Sequence, residues 1–238
     1  MLVLVVDTST PAVMAALVRV HPTGDGSRAD ARDGVELLAQ RATVDARAHG
    51  ELLGPGIQAV LTEAGARPAE LAAIVAGLGP GPFTGLRVGL VTAASMGQAL
   101  TIPTYGVCSL DGIGAVTCDV TLVATDARRK EVYWAVYDKG VRVSEPAVNR
   151  PADLRTLLDS LAHEGGLTVN AAVGDGARMY ADVLGLAVAE QPRYPSPLAL
   201  AETAADRVRA RAGGETLQPL YLRRPDAVEP GAPKLVRQ

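Results

Sequence analysis

The chain has 238 residues, of which 48% are hydrophobic and 3% aromatic, and its formal net charge is −3. This content is enough for a substantial core of aliphatic side chains, in one large or two small domains. A weakly acidic chain has no overall positive potential to attract nucleic acid, although the net charge does not exclude a local basic patch. Two cysteines make no disulfide scaffold, and no signal peptide or membrane-length apolar run is present. We therefore expect a cytoplasmic protein with no membrane partner.

The first half of the sequence alternates between strand and helix patterns. Apolar runs bounded by turn residues predict strands, and the 3.6-residue apolar period predicts helices. The predicted strands are 2–6, 13–18, 35–44 and 71–76. The predicted helices are 46–64 and a second one that begins behind Thr84, an expected N-cap, and ends near Pro103. The polar stretch 21–33 is expected to be a loop.

A loop rich in glycine and proline leads into this second helix. Residues 77–89 read G-L-G-P-G-P-F-T-G-L-R-V-G. Small residues then recur every four positions, which places them on one helix face. Each glycine costs a helix about 1 kcal/mol relative to alanine, so this stripe should permit a close approach. The approaching element could be the chain's own sheet or another helix.

The second half repeats the first in outline. Residues 120–125 and 132–137 predict a pair of strands joined by an acidic turn, with the same six-residue offset that separates Asp7 from Val13. A helix over 151–164, strands over 169–173 and 187–190, and a last helix from 196 or 197 to 212 follow. Strand hairpins followed by alternating helices indicate a mixed α/β sheet, and the repeat indicates two lobes with a cleft between them.

Two turns and a glycine motif could line that cleft. In the functional interpretation, they bind phosphate and a metal or water; in the structural one, the first turn only closes a hairpin. The residues that could hold a nucleotide are Asp7, Thr8, Ser9, Asp126, Gly174, Asp175 and Gly176. The loop over 77–82 matches neither common phosphate fingerprint, and its prolines lack amide donors. No histidine pair has metal-ligand spacing, and no nucleophile elbow occurs.

Four stretches together resemble one family. They are V-D-T-S at the start, G-P-G-P-F-T-G-L-R in the central loop, D-A-R-R-K-E-V-Y in the second acidic turn and Y-L-R-R-P-D-A near the end. The chain is similar in these stretches, and over nearly its whole length, to the TsaB (YeaZ) family of tRNA threonylcarbamoyladenosine biosynthesis proteins. Pro82 stands where that family usually carries serine.

The resemblance implies the two-lobed actin-like (ASKHA, ribonuclease H-like) fold, built from duplicated mixed-sheet units. The lobes would be residues 1–104 and 105–225, with the last helix able to return to the first lobe and a disordered tail over 226–238. The related catalytic subunit, TsaD, carries two metal-binding histidines. Ser109 and Ile113 stand at the matching positions here, and neither can replace an imidazole ligand. The resemblance therefore implies a subunit with no catalytic residue, no metal and no cofactor of its own.

Such a subunit pairs with TsaD through its N-terminal lobe, and the ATPase TsaE joins them. The resemblance also allows ATP or ADP at the interface with TsaD, an indirect contact with tRNA, and a homodimer when the chain is alone. Leucine at Gly89 or Ala93 would then block pairing and leave the monomer folded. The residues expected to form the partner surface are Leu52, Leu53, Gly56, Val60, Gly85, Leu86, Gly89, Leu90, Ala93 and Gly97.

Two alternatives stay open at this point. A stand-alone nucleotide-dependent enzyme of the same fold, such as a kinase, would use the acidic turns and the glycine motif to bind ATP. A protease ranks last, because the sequence offers neither an assembled triad nor a metal pair.

Overall fold

The structure is a computed structural model, and it describes residues 1–22 and 34–223. The disordered tail predicted for 226–238 and most of the loop predicted for 21–33 lie outside these ranges. None of the helices in the described ranges is both long and apolar enough to cross a membrane.

The first unit is a five-stranded sheet with two helices. The strands and helices are β1 (Leu2–Asp7), β2 (Ala12–Val20), β3 (Val35–Val44), α1 (His49–Glu63), β4 (Leu71–Gly77), α2 (Phe83–Leu100) and β5 (Thr104–Val107). The sheet order is β3-β2-β1-β4-β5. β1 and β2 pair antiparallel, as do β2 and β3, whereas β1, β4 and β5 run parallel.

The second unit repeats this topology. Its elements are α3 (Asp111–Gly114), β6 (Thr121–Asp126), β7 (Val132–Asp138), β8 (Val141–Arg142), β9 (Ala147–Asn149), α4 (Pro151–Gly165), β10 (Ala171–Val173), α5 (Asp175–Met179), α6 (Ala181–Leu184), β11 (Ala187–Val188) and α7 (Pro197–Arg209). The sheet order is β11-β10-β6-β7-β8, with β6 antiparallel to β7 and parallel to β10. Strand by strand this matches the first sheet, which confirms the predicted duplication of a mixed α/β unit.

Helices cover both faces of the first sheet. α1 and α2 pack on one face, where their apolar side chains meet those of β1, β2 and β4. On the other face, Leu200, Ala204 and Val208 of α7 pack against Val5 and Val18. Since strands alternate their side chains between faces, the continuous apolar runs of β1 and β2 are explained by burial on both sides.

The first lobe reaches past residue 104 and also includes a late part of the chain. β5 belongs to the first sheet as far as Val107. After α7, the chain runs beside this edge strand, where the Glu215 amide donates to the Thr104 carbonyl at 2.8 Å and the Gly106 amide donates to the Glu215 carboxylate at 3.0 Å. Edge strands leave backbone groups unpaired, so this segment protects an otherwise open edge.

The start of α2 differs from the prediction. The helix begins at Phe83, its N-cap is Pro82 in an extended conformation, and no side chain caps it. The expected N-cap, Thr84, lies inside the first turn. Proline fixes its own φ and needs no amide partner, which suits the position before a helix, but it supplies no oxygen to the free amides.

Candidate functional site

The turn after β1 is closed by its own hydrogen bonds. The Asp7 carboxylate accepts from the Ser9 amide at 2.9 Å and from the Ser9 hydroxyl at 2.7 Å, which is an Asx turn. The Thr10 carbonyl accepts from His49 Nε2 at 2.8 Å. All four residues from Asp7 to Thr10 are buried. This geometry fits the interpretation in which the turn only closes the hairpin between β1 and β2.

Asp7 is the centre of a buried polar cluster that joins distant parts of the chain. Its second carboxylate oxygen accepts from the Ser109 hydroxyl at 2.5 Å, and Ser109 Oγ in turn accepts from the Gly79 amide at 3.0 Å. Burial raises the pKa of Asp7, and the hydrogen bonds from Ser109 and Ser9 oppose that rise. The cluster fixes the loop after β4 against the end of β1.

The glycines of this loop allow close approach to the first turn. A Cβ at Gly77 would overlap the Asp7 carboxylate, and one at Gly81 would overlap the backbone of Ser9. With Pro80 and Pro82 between and after them, the loop offers few free amides and little space. Over residues 77–82 the loop is therefore a tight connection between strand and helix.

The small-residue stripe of α2 faces the chain's own sheet, which corrects the predicted partner surface. Gly85, Leu86, Gly89, Leu90, Ala93 and Gly97 are all buried. Thr8 Oγ1 accepts from the Gly89 amide at 2.9 Å and donates to the Gly85 carbonyl at 2.8 Å, and a Cβ at Gly97 would lie 2.6 Å from Thr104 Cγ2. These residues are small because β1, its turn and β5 lie against them.

The predicted residues of α1 are also largely internal. Leu53 and Val60 belong to the core between the helices and the sheet. Leu52 and Gly56 are half-buried, and a Cβ at Gly56 would lie 3.8 Å from the Ala15 Cβ. The face of α1 that could meet another protein is therefore the opposite one, which carries Gly50 and Gly54.

The second acidic turn opens onto a cavity. Asp126 and Asp175 are buried, and the Asp126 amide donates to Asp175 Oδ1 at 3.2 Å. Burial raises the pKa of Asp175, and the nearby Asp126 charge adds to this. Gly174 has a φ of +103°, which a side chain would strain, and a Cβ there would overlap the Ala124 carbonyl. Gly174 and Gly176 therefore serve close packing around the two carboxylates.

This cavity of about 520 Å³ lies between the lobes. Pro11 and Val44 line it from the first lobe, and the two carboxylates line it from the second. Arg128, Arg178 and Arg193 also line it, and Arg128 pairs with Asp126 at 3.3 Å. Of the residues predicted to hold a nucleotide, Asp126 and Asp175 line this cavity, whereas Asp7, Thr8 and Ser9 do not.

Ser109 and Ile113, the positions that the family resemblance matches to metal ligands, are both buried. Ser109 is bound to Asp7, and Ile113 is fully buried in an apolar cluster with Val123 and Tyr137. Among the side chains that the structure describes, which leave out residues 23–33, 164–165 and 224–238, no three of His, Cys, Asp or Glu form a group that could hold a metal ion.

A cluster of aromatic and arginine side chains was not predicted from the sequence. Phe83 and Tyr221 are stacked with ring centroids 5.4 Å apart, and the Arg87 guanidinium lies 3.6 Å from the Phe83 centroid. Phe83 and Tyr221 both fall in the stretches that carry the family resemblance, which was the only available signal. Their contact spans more than a hundred residues of chain, so local patterns could not reveal it.

A family model and several known proteins match the sequence of this chain. The family model described as TsaD, tRNA N6-adenosine threonylcarbamoyltransferase, matches residues 36–209. An uncharacterized protein of Mycobacterium tuberculosis is 46% identical over 227 residues, covering 94% of this chain and 93% of that protein. The tRNA threonylcarbamoyladenosine biosynthesis protein TsaB of Escherichia coli is 35% identical over 101 residues, which are 39% of this chain and 42% of that protein.

A solved structure extends the match to the whole fold. It is a Pseudomonas aeruginosa protein described as uncharacterized with similarity to peptidase YeaZ, with a TM-score of 0.72 and 26% identity over 93% of this chain and 99% of that one. Two lobes of the same mixed-sheet topology, with an acidic turn after the first strand of each, define a protein of the two-lobed actin-like class. The chain belongs to the tRNA N6-adenosine threonylcarbamoyltransferase family, and within it to the TsaB (YeaZ) proteins.

Proposed function

We propose that this chain is a non-catalytic subunit in the threonylcarbamoylation of the adenosine next to the anticodon in tRNA. In this role it pairs with TsaD, which performs the transfer, and TsaE joins the assembly. A non-catalytic role is supported by the residues at the two positions that the resemblance matches to the metal-binding histidines of TsaD. Ser109 is held by Asp7, and Ile113 is buried among apolar side chains. A metal at this place would have no imidazole to bind it.

The partner surface of this proposal is the outward face of α1 and α2. Both helices lie on the same side of the first sheet, and the apolar residues on their inward faces are buried in the core. Outward, α1 presents Gly50 and Gly54, where a Cβ would have no heavy atom within 4 Å, and α2 presents Val91, which is 62% exposed. An exposed valine on one helix and exposed glycines on the other leave room for another helix to approach, and the same face could form a homodimer in the absence of TsaD.

Under this proposal, the isolated chain does not need to bind a nucleotide. The hydroxyl and carboxylate groups of the turn after β1 bind each other, Gly85 and Ser109. ATP or ADP would instead be held where the chain meets TsaD, with residues of both proteins.

The proposal is tested by depleting the chain in its own organism. We expect threonylcarbamoyladenosine to fall severalfold in nucleosides from total tRNA, measured by mass spectrometry, while other modified nucleosides stay constant. A plasmid copy of the chain should restore it. Unchanged threonylcarbamoyladenosine after full depletion would contradict the proposal.

One observation favours a second candidate, a stand-alone nucleotide-dependent enzyme. The cavity between the lobes joins two buried carboxylates to three arginines, which is a suitable composition for phosphate with Mg²⁺. Calorimetry with ATP and Mg²⁺ on the isolated chain separates the two candidates. Tight binding followed by turnover without a partner would favour the enzyme.

A further inference from the structure

The aromatic–arginine cluster, consisting of Phe83, Arg87 and Tyr221, is arranged as a stack. The two rings are inclined by 25°, and the Arg87 guanidinium covers one face of Phe83. Arg87 Nε also donates to the Tyr221 hydroxyl at 2.9 Å. One guanidinium thus fixes both rings, so the stack is organised before any ligand arrives.

The aromatic rings of this cluster are unusually exposed for this chain. Phe83 is the single phenylalanine in the sequence, and the core is otherwise built mainly from aliphatic residues. It is nevertheless 52% exposed, and Tyr221 is 45% exposed. Apolar rings that are exposed and rigid are a feature of surfaces that bind a flat partner by stacking.

Several arginines line the cavity next to the rings. The cluster borders a cavity of about 610 Å³ between α2, the β6–β7 turn and the segment after α7. Arg128, Arg129 and Arg223 line this cavity together with Arg87, and no carboxylate is among the described residues that line it. Asp126 and Glu131 lie beside it and pair with Arg128 and Arg223. The cavity wall therefore offers donors and positive charge, with few acceptors.

The β6–β7 turn presents its basic residues outward. Arg128, Arg129 and Lys130 all have φ between 54° and 61°, the left-handed region, and all three are exposed. The uncapped start of α2, at Phe83, borders the same cavity. Amides at a helix start and guanidinium groups both bind phosphate.

We propose that this cluster binds single-stranded RNA. A base stacks on the exposed ring surface of Phe83 and Tyr221, and the adjoining phosphates contact Arg128, Arg129 and the start of α2. Stacking combined with backbone cations is how proteins bind single strands without reading a base sequence. A site for a free nucleotide would be expected to include a carboxylate that accepts the ribose hydroxyls, and the described part of this lining has none.

The inference rests on the proposed function only for the identity of the RNA, which would be the anticodon loop of a tRNA. An anticodon loop provides unpaired bases next to phosphates, as this surface requires. It would give the chain a direct contact with RNA, in place of the indirect one that the family resemblance implies.

The test is the affinity of the full chain, alone and in complex with TsaD, for a fluorescein-labelled anticodon stem-loop RNA, measured by fluorescence anisotropy. Phe83→Leu should weaken binding roughly tenfold, because it removes the stacking surface but keeps an apolar side chain. Phe83→Tyr should bind like the wild type. Arg67→Ala, which removes an 80%-exposed arginine elsewhere on the first lobe, should change affinity little.

Melting temperature and pairing with TsaD, measured for each variant, show whether it is folded. Equal affinities of the wild type and Phe83→Leu would overturn the inference, as would an absence of RNA binding or displacement of the RNA by AMP. In those cases pairing with TsaD and the cellular loss of threonylcarbamoyladenosine would be unaffected, so the proposed function would stand. Weakened RNA binding by Phe83→Leu with pairing intact supports the inference.

Discussion

Gly89→Ala is expected to lower the free energy of unfolding by about 2 kcal/mol, although alanine is the better helix former. The new Cβ would lie 2.5 Å from Thr8 Oγ1. That hydroxyl accepts from the Gly89 amide and donates to the Gly85 carbonyl, so the displacement of Thr8 weakens two buried hydrogen bonds. Each such bond contributes about 1 kcal/mol, the overpacking by the new Cβ costs about 1 kcal/mol or more in addition, and the gain in helix propensity of about 1 kcal/mol offsets only part of this loss. Urea denaturation followed by circular dichroism measures the difference.

Gly50→Ala is the matched control. Gly50 is exposed in the first turn of α1, and a Cβ there would have no heavy atom within 4 Å. The same substitution should therefore leave the stability unchanged or raise it by up to about 1 kcal/mol, because it removes the cost of a helical glycine. If Gly89→Ala were as stable as Gly50→Ala, the packing of α2 on the turn after β1 would be wrong. Gly89→Leu, which a partner-facing stripe would tolerate in the monomer, is expected to destabilise it further.

Val91→Arg is expected to weaken pairing with TsaD by roughly 100-fold or more, because it would bury an unpaired charge in the proposed contact. Val91 is 62% exposed on the outward face of α2, so the isolated chain should keep its stability to within about 0.5 kcal/mol. Calorimetric titration of TsaD into each purified variant measures the affinity, and threonylcarbamoyl transfer to tRNA should fall in parallel.

Val141→Arg controls for the effect of an added surface arginine. Val141 is 67% exposed on β8, at the edge of the second sheet, whereas α1 and α2 pack on the first sheet. We expect this variant to bind TsaD as the wild type does. Equal loss in both variants would indicate a general charge effect, and undiminished pairing in Val91→Arg would exclude this face as the contact.

The elements of the fold could be predicted because their signals are local. Apolar runs and turn residues located the strands of both units, and the equal spacing of Asp7 and Asp126 from the next strand indicated the duplication. Each of these signals depends on residues a few positions apart. The pairing of β1 with β2 and of β6 with β7 confirms the predicted strands. The start of α2 was predicted wrongly because Thr84 resembles an N-cap, whereas the rigid Pro82 already occupies that position.

The element that packs on the small-residue stripe could not be predicted. Small residues on one helix face indicate that another element packs closely, but they do not identify that element. Thr8 lies 81 residues before Gly89, and Ser109 lies 102 residues after Asp7. Only the folded chain brings these groups together. The cluster of Phe83, Arg87 and Tyr221 escaped prediction for the same reason, since two of its members lie at the start of α2 and the third lies near the end of the described chain.

Under the proposed function, the chain assists transfer and does not perform it. The decisive experiment combines purified TsaD and TsaE of the same organism with tRNA and threonylcarbamoyl-AMP, and quantifies modified adenosine with and without this chain. We expect multiple turnovers only when the chain and TsaD are both present, and none from the chain alone. Transfer by the chain in the absence of TsaD, or equal transfer by TsaD and TsaE without it, would contradict this role.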